Sequence, residues 1–123
     1  MKNILSAEDS KSLIEETKEI LSRMAEDGDI LTEPREIDFN HLFEDEESAA
    51  RFIQVAAEQG FSQAESEFWD ERHGWQTSVH IHMVPSSDPI NEIQTKLTLI
   101  AHSLNGRPDG WGCMEVVAPE STE

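Results

Sequence analysis

The sequence predicts an α+β domain built on a four-stranded antiparallel sheet, and three observations predict it. Apolar residues recur at helical spacing in three separate segments. Shorter segments between and after them alternate apolar with polar residues, as half-buried strands do. Clusters containing Gly, Pro, Asp or Asn punctuate the junctions. A chain of 123 residues can carry one modest core, since the area scaling laws bury about two-thirds of its extended surface.

The first helix runs from Ser10 to about Asp27, with Leu13, Ile14, Ile20, Leu21 and Met24 on one stripe and Thr17 bridging its middle. Ser12 and Glu15 are spaced as a capping box, and Ser10 is an alternative start. The helix ends at Glu26-Asp27-Gly28-Asp29, where Gly28 can take a positive φ without a steric penalty. Residues 34 to 43 form the first strand, with Ile37 and Phe39 on one side and Glu36, Asp38 and Asn40 on the other. Next come Glu44, Asp45, Glu46 and Glu47, carboxylates placed beside the free N–H groups that open a second helix. Its buried face is Ala49, Ala50, Phe52, Ile53, Ala56 and Ala57, and Gly60 closes it with Phe61 folding back onto the last turn.

Between Phe61 and Asp70 a second strand is expected, but the scatter of Phe61, Ala64, Phe68 and Trp69 does not fix its register. A polar turn from Asp70 to Gly74 leads into the clearest strand, in which Trp75, Thr77, Val79, Ile81 and Met83 alternate with Gln76, Ser78, His80, His82 and Val84. Pro85 to Pro89 ends it, and Asp88-Pro89 opens a third helix carrying Ile90, Ile93, Leu97, Ile100, Ala101 and Leu104. That helix closes at Asn105-Gly106, and after a turn at Arg107-Pro108-Asp109-Gly110 a last strand is expected from Trp111 to Val117. Two right-handed βαβ crossovers joined by a hairpin give the ferredoxin-like βαββαβ plan, strand order 4-1-3-2, with both crossover helices on one face. The additional N-terminal helix joins the helical layer, an edge or the open face. Expected boundaries are a flexible N-terminus at 1–9, a single domain at 10–118 and a short acidic tail at 119–123.

Charge narrows the function. Twenty-six Asp and Glu face nine Lys and Arg, a formal charge of -17, so the chain lacks the basic patch that holds a phosphate backbone, and no direct nucleic-acid binding is expected. The single Cys113 excludes an internal disulfide and a thiolate metal cage. No stretch approaches the roughly 20 apolar residues of a membrane span, and acidic residues break into the first segment before a secretory core forms, so a cytoplasmic protein without membrane contact is expected. There is no phosphate-binding Gly-rich loop and no Gly-x-Ser-x-Gly elbow, and Cys113 has no adjacent His; neither catalytic residues nor a cofactor are expected. His80 and His82 point the same way from one strand and are read as a surface pair, with no metal site assigned. A metal-binding protein or enzyme is the alternative reading, its third ligand drawn from Asp38, His41, Glu65, Glu67 or Glu115. His41, His73 and His102 are expected on turns or helix surfaces.

Two aromatic features stand out. Asp109-Gly110-Trp111-Gly112 sets an indole between two glycines, expected to plug the end of the sheet under the third helix, with recognition as the other role. Phe68-Trp69 stands beside Asp70-Glu71 with Trp75 across the turn, and an exposed indole there would be an aromatic anchor rimmed by carboxylate and suited to an Arg-rich peptide.

Leu21 to Asp29, Arg35-Glu36-Ile37-Asp38-Phe39, Phe43 to Ala50, Gly60-Phe61 and Asp109-Gly110-Trp111-Gly112, in this order and spacing, resemble the regulator of ribonuclease E activity B (RraB) family over about residues 13 to 117. The resemblance implies a small acidic cytoplasmic protein of ferredoxin-like fold that binds the noncatalytic scaffold region of endoribonuclease E and lowers its activity without cutting RNA. Some family members carry a long acidic tail after this strand, whereas here Ala118 is followed by the short segment Pro119 to Glu123. On this reading Glu44, Asp45, Glu46, Glu47, Trp69, Asp70, Glu71 and Trp75 are the candidate protein-interaction residues, while Asp27, Gly28, Asp109, Gly110, Trp111 and Gly112 are structural. The charge alone also fits an acidic adaptor for a different basic protein, and a homo-oligomer stays open.

Overall fold

The computed structural model describes residues 7–114 and 116, with side chains from residue 14. The elements follow as α1 (Ala7–Glu26), β1 (Arg35–Phe43), α2 (Glu46–Glu58), β2 (Ala64–Asp70), β3 (Gly74–Met83), α3 (Ser87–Ser103) and β4 (Arg107–Cys113). The strands pair antiparallel in the order β2-β3-β1-β4, which is the ferredoxin-like arrangement with an N-terminal helix. The tail at 119–123 lies outside the described residues.

Alternation decides which face is buried. Ile37, Phe39 and Phe43 of β1 and Val79 of β3 point to the helices and are fully or almost fully buried against Phe52 of α2 and Ile90, Leu97 and Ala101 of α3. The helix α1 packs on α3, so it extends the helical layer. A buried polar contact fixes that docking: the Thr17 hydroxyl donates to the Asn91 Oδ1 at 2.8 Å, and Leu21 adds apolar area one turn on. The opposite face of the sheet is polar, carrying Glu36, Asp38 and Asn40 of β1, Glu65 and Glu67 of β2, and Gln76, Ser78, His80 and His82 of β3.

Several boundaries differ from expectation. The helix α1 begins at Ala7, before either serine proposed as its cap. The segment Arg107 to Gly110, expected as a turn, is already paired with β1, and the strand ends at Cys113 instead of Val117. Pro108 is tolerated because β4 is an edge strand, where a missing N–H breaks no ladder. The register steps from Phe39↔Trp111 to His41↔Pro108, so β4 holds one extra residue around Asp109-Gly110, and Gly110 takes φ 85° there. Beyond this bulge Trp111 stands opposite Phe39, half-buried against the core. In β2 the register shifts between Phe68↔Trp75 and Asp70↔Gly74, leaving Trp69 as the extra residue; this bulge is why the strand shows no clean alternation.

A second correction concerns His41, which lies in the core and not on a surface. It follows Ile37 and Phe39 on the inner side of β1, its Nε2 is 3.0 Å from the Thr98 hydroxyl, and its ring sits 5.3 Å from that of Phe52. Burial, with a smaller contribution from the charge of His102, lowers its pKa to about 4. The unfolded chain therefore takes up this proton before the folded one does. His41 contributes stability that is fully present above its unfolded pKa and is lost as pH falls from about 6.5 towards about 4. Urea melts between about pH 7.5 and about 5 should show a loss of about 2 kcal/mol from this group, and the difference from His41→Gln isolates it. Parallel pH profiles for the two proteins would refute the assignment.

Beneath the start of β1 lies a buried ion pair. Arg35 Nη1 is 2.8 Å from Asp29 Oδ1, and both side chains are almost completely enclosed. The guanidinium also donates to the carbonyls of Ile30 at 2.8 Å and Met114 at 3.2 Å, tying the α1–β1 connection to the segment that leaves β4. Ile30 N–H donates to the Val116 carbonyl at 2.7 Å, so that segment is held by backbone as well.

Candidate protein-docking site

The β1–α2 connection and the β2–β3 turn meet at one end of the sheet. Gly74 presses against the end of β1 so closely that a Cβ on it would run into the Phe43 carbonyl oxygen, and its φ of 81° likewise favours glycine. The hairpin turn is thereby held beside the loop that opens α2. Asp45 caps that helix, its Oδ1 accepting from Ser48 N–H at 2.7 Å, and Glu46 and Glu47 occupy the first turn. The Ser48 backbone N–H holds the Asp45 carboxyl below the usual range. In the hairpin, Asp70 Oδ1 accepts from His73 N–H at 2.7 Å, which likewise lowers the Asp70 pKa. The His73 Nδ1 lies 2.8 Å from the same carboxylate oxygen, and its ring stacks on Trp69 with centroids 3.8 Å apart, near parallel.

The expected interaction residues thus divide. Glu44, Asp45, Glu46, Glu47 and Glu71 are exposed. Glu44 and Glu71, far apart in sequence, line one hollow of about 310 Å³ together with Arg72, His73 and Arg107. Phe68 and Trp69 are 52% and 48% exposed, too open for core residues of their size, and with Glu67 and Gln76 they line a neighbouring hollow of about 310 Å³. Trp75 differs from them: it is half-buried against the core, and Phe68 meets its indole edge-on at 5.6 Å. The structural set lies elsewhere. Asp27 and Gly28 end α1 near the opposite end of β1, and Asp109 accepts from Gln76 Nε2 at 2.8 Å. Trp111 packs on the helix side, and Gly112 stands opposite Asp38.

The open face holds a second arrangement, in which Asp38 and Glu65 are the two members of the sequence's candidate set that reach His80. His80 does not act as a pair with His82, which stands opposite Glu36 and is exposed. Its Nδ1 lies 2.5 Å from Asp38 Oδ1 and 3.4 Å from Glu36 Oε2, and its Nε2 lies 2.9 Å from Glu65 Oε1. Partial burial opposes the charged ring, but Asp38 and Glu65 outweigh it and the His80 pKa is raised. Only the register reveals this, because Asp38 is directly opposite His80 whereas Glu65 pairs with Ser78 and reaches it diagonally. Cys113 is partly buried, and burial pushes its thiol pKa up, away from a reactive thiolate.

Among the described residues no helix is long and apolar enough to cross a membrane. The fold and the charge define a small acidic α+β domain. The chain belongs to the family described as regulator of ribonuclease activity B (RraB), whose model matches residues 14–113, from within α1 to the end of β4. No curated protein matches the chain.

Proposed function

We propose that this chain is a noncatalytic, cytoplasmic regulator that binds endoribonuclease E through a basic, noncatalytic segment of the enzyme and thereby lowers RNA cleavage. One observation carries the reading: in a chain of charge -17, Glu44 and Glu71 share one hollow with Arg72 and Arg107, beside half-exposed Trp69 and Phe68. The family description supplies the class of target, a ribonuclease activity. Carboxylates at this end would draw in a basic segment from a distance and pair with its guanidinium groups, while an arginine laid over Trp69 gains a cation–π contact. RNA itself would be repelled by the same field. Binding of endoribonuclease E to the purified chain, measured with and without charge reversal at this end, tests the proposal. Capture of a different basic protein in its place would make the chain an adaptor for that partner.

A further inference from the structure

The geometry points to a divalent transition-metal site on the open face of the sheet, formed by Glu36 and Asp38 of β1 and His80 of β3, with Glu65 of β2 orienting the imidazole. One ligand atom from each of Glu36, Asp38 and His80 lies within 4.8 Å of the others, a separation that one ion can span. Two of the three are placed by the sheet. Asp38 and His80 are directly paired residues of neighbouring central strands, and the His80 side chain is only 21% exposed.

The second observation is the orientation of the ring. Glu65 Oε1 sits 2.9 Å from Nε2 and accepts its proton, while Nδ1 faces the carboxylates of Asp38 at 2.5 Å and Glu36 at 3.4 Å. In the metal-free protein a proton on Nδ1 makes the hydrogen bond to Asp38, and a metal ion would take that proton's place. A single proton on Nδ1 satisfies the nearer oxygen, of Asp38, but leaves three carboxylates around one positive charge. A divalent ion on Nδ1 neutralises more of that charge and uses all three converging groups. The carboxylate on the far nitrogen is the arrangement by which metal-binding histidines are fixed in tautomer and direction. One imidazole with two carboxylates suits zinc or manganese better than magnesium or calcium, which prefer oxygen alone. The site is separate from the acidic docking end, because Asp38 and His80 pair near the middle of β1 whereas Phe43 and Trp75 pair at its end.

The test is calorimetric titration of chelator-treated protein with zinc chloride in a non-coordinating buffer, repeated with magnesium chloride. Zinc should bind saturably at one ion per chain, and magnesium at the same concentrations should not. His80→Gln and Asp38→Asn should abolish the zinc isotherm, and Glu65→Gln should weaken it about 10- to 100-fold. Glu36 is mostly exposed, so Glu36→Gln keeps the fold intact and still should weaken binding at least tenfold. Glu67→Gln, on the same face but outside the cluster, should change it less than twofold. Two results would overturn the site: no saturable zinc binding, or wild-type affinity in Glu36→Gln and His80→Gln alike, which marks diffuse attraction to an acidic surface.

Discussion

Replacing Arg35 with methionine is expected to cost about 3 to 5 kcal/mol of stability, the cost of leaving one partner of a buried pair unmatched. The buried Asp29 carboxyl would lose its guanidinium partner, and the carbonyls of Ile30 and Met114 would lose a donor. A small domain holds only about 5 to 15 kcal/mol in total, so the variant should melt far earlier or fail to fold near body temperature. Asp29→Leu combined with Arg35→Met removes both charges and should recover a large part of the loss, because well-packed apolar groups often replace a buried pair without penalty. Urea denaturation of the three proteins checks this, and a loss below about 1 kcal/mol in Arg35→Met would show that the pair is solvated.

Reversing charge at the proposed docking end should act on binding and leave the fold almost untouched. Glu44→Lys with Glu71→Lys alters two exposed groups, sparing the cap at Asp45, so stability should move by no more than about 1 kcal/mol. Affinity for the ribonuclease should fall at least about thirtyfold, or about 2 kcal/mol, mostly through slower association at low salt. Trp69→Ala should weaken binding by a similar factor through loss of an anchor, again without unfolding, because its indole is half exposed. Affinities within twofold of wild type for both variants would move the interface elsewhere on the molecule.

Much of the fold could be read from residues that obey one period. β3 alternates without a break from Trp75 to Met83, and α2 is bounded by Asp45 and Gly60, so both elements fall where their patterns place them. The errors collect where the chain departs from regular pairing. Trp69 and Asp109-Gly110 sit in bulges, which shift alternation by one residue and make a strand look like a turn. Pro108 and Gly110 also read as turn residues, and only the edge position of β4 lets them lie in a strand. His41 was legible, since it continues the inner face of Ile37 and Phe39, but its polarity argued against burial until Thr98 of α3 supplied a partner. The Arg35–Asp29 pair and the His80 cluster depend on how distant segments meet. No local pattern distinguishes Asp29 from the solvated acids of α1, or Glu65 from Glu67.

Cleavage of a labelled RNA by purified endoribonuclease E, followed while this chain is titrated in, tests the proposed regulation most directly. The rate should fall saturably, with a midpoint matching the binding constant measured for the two proteins, while the chain alone neither cleaves nor retards the RNA. An unchanged cleavage rate at concentrations where the chain is folded and in excess, with no complex formed, would contradict it.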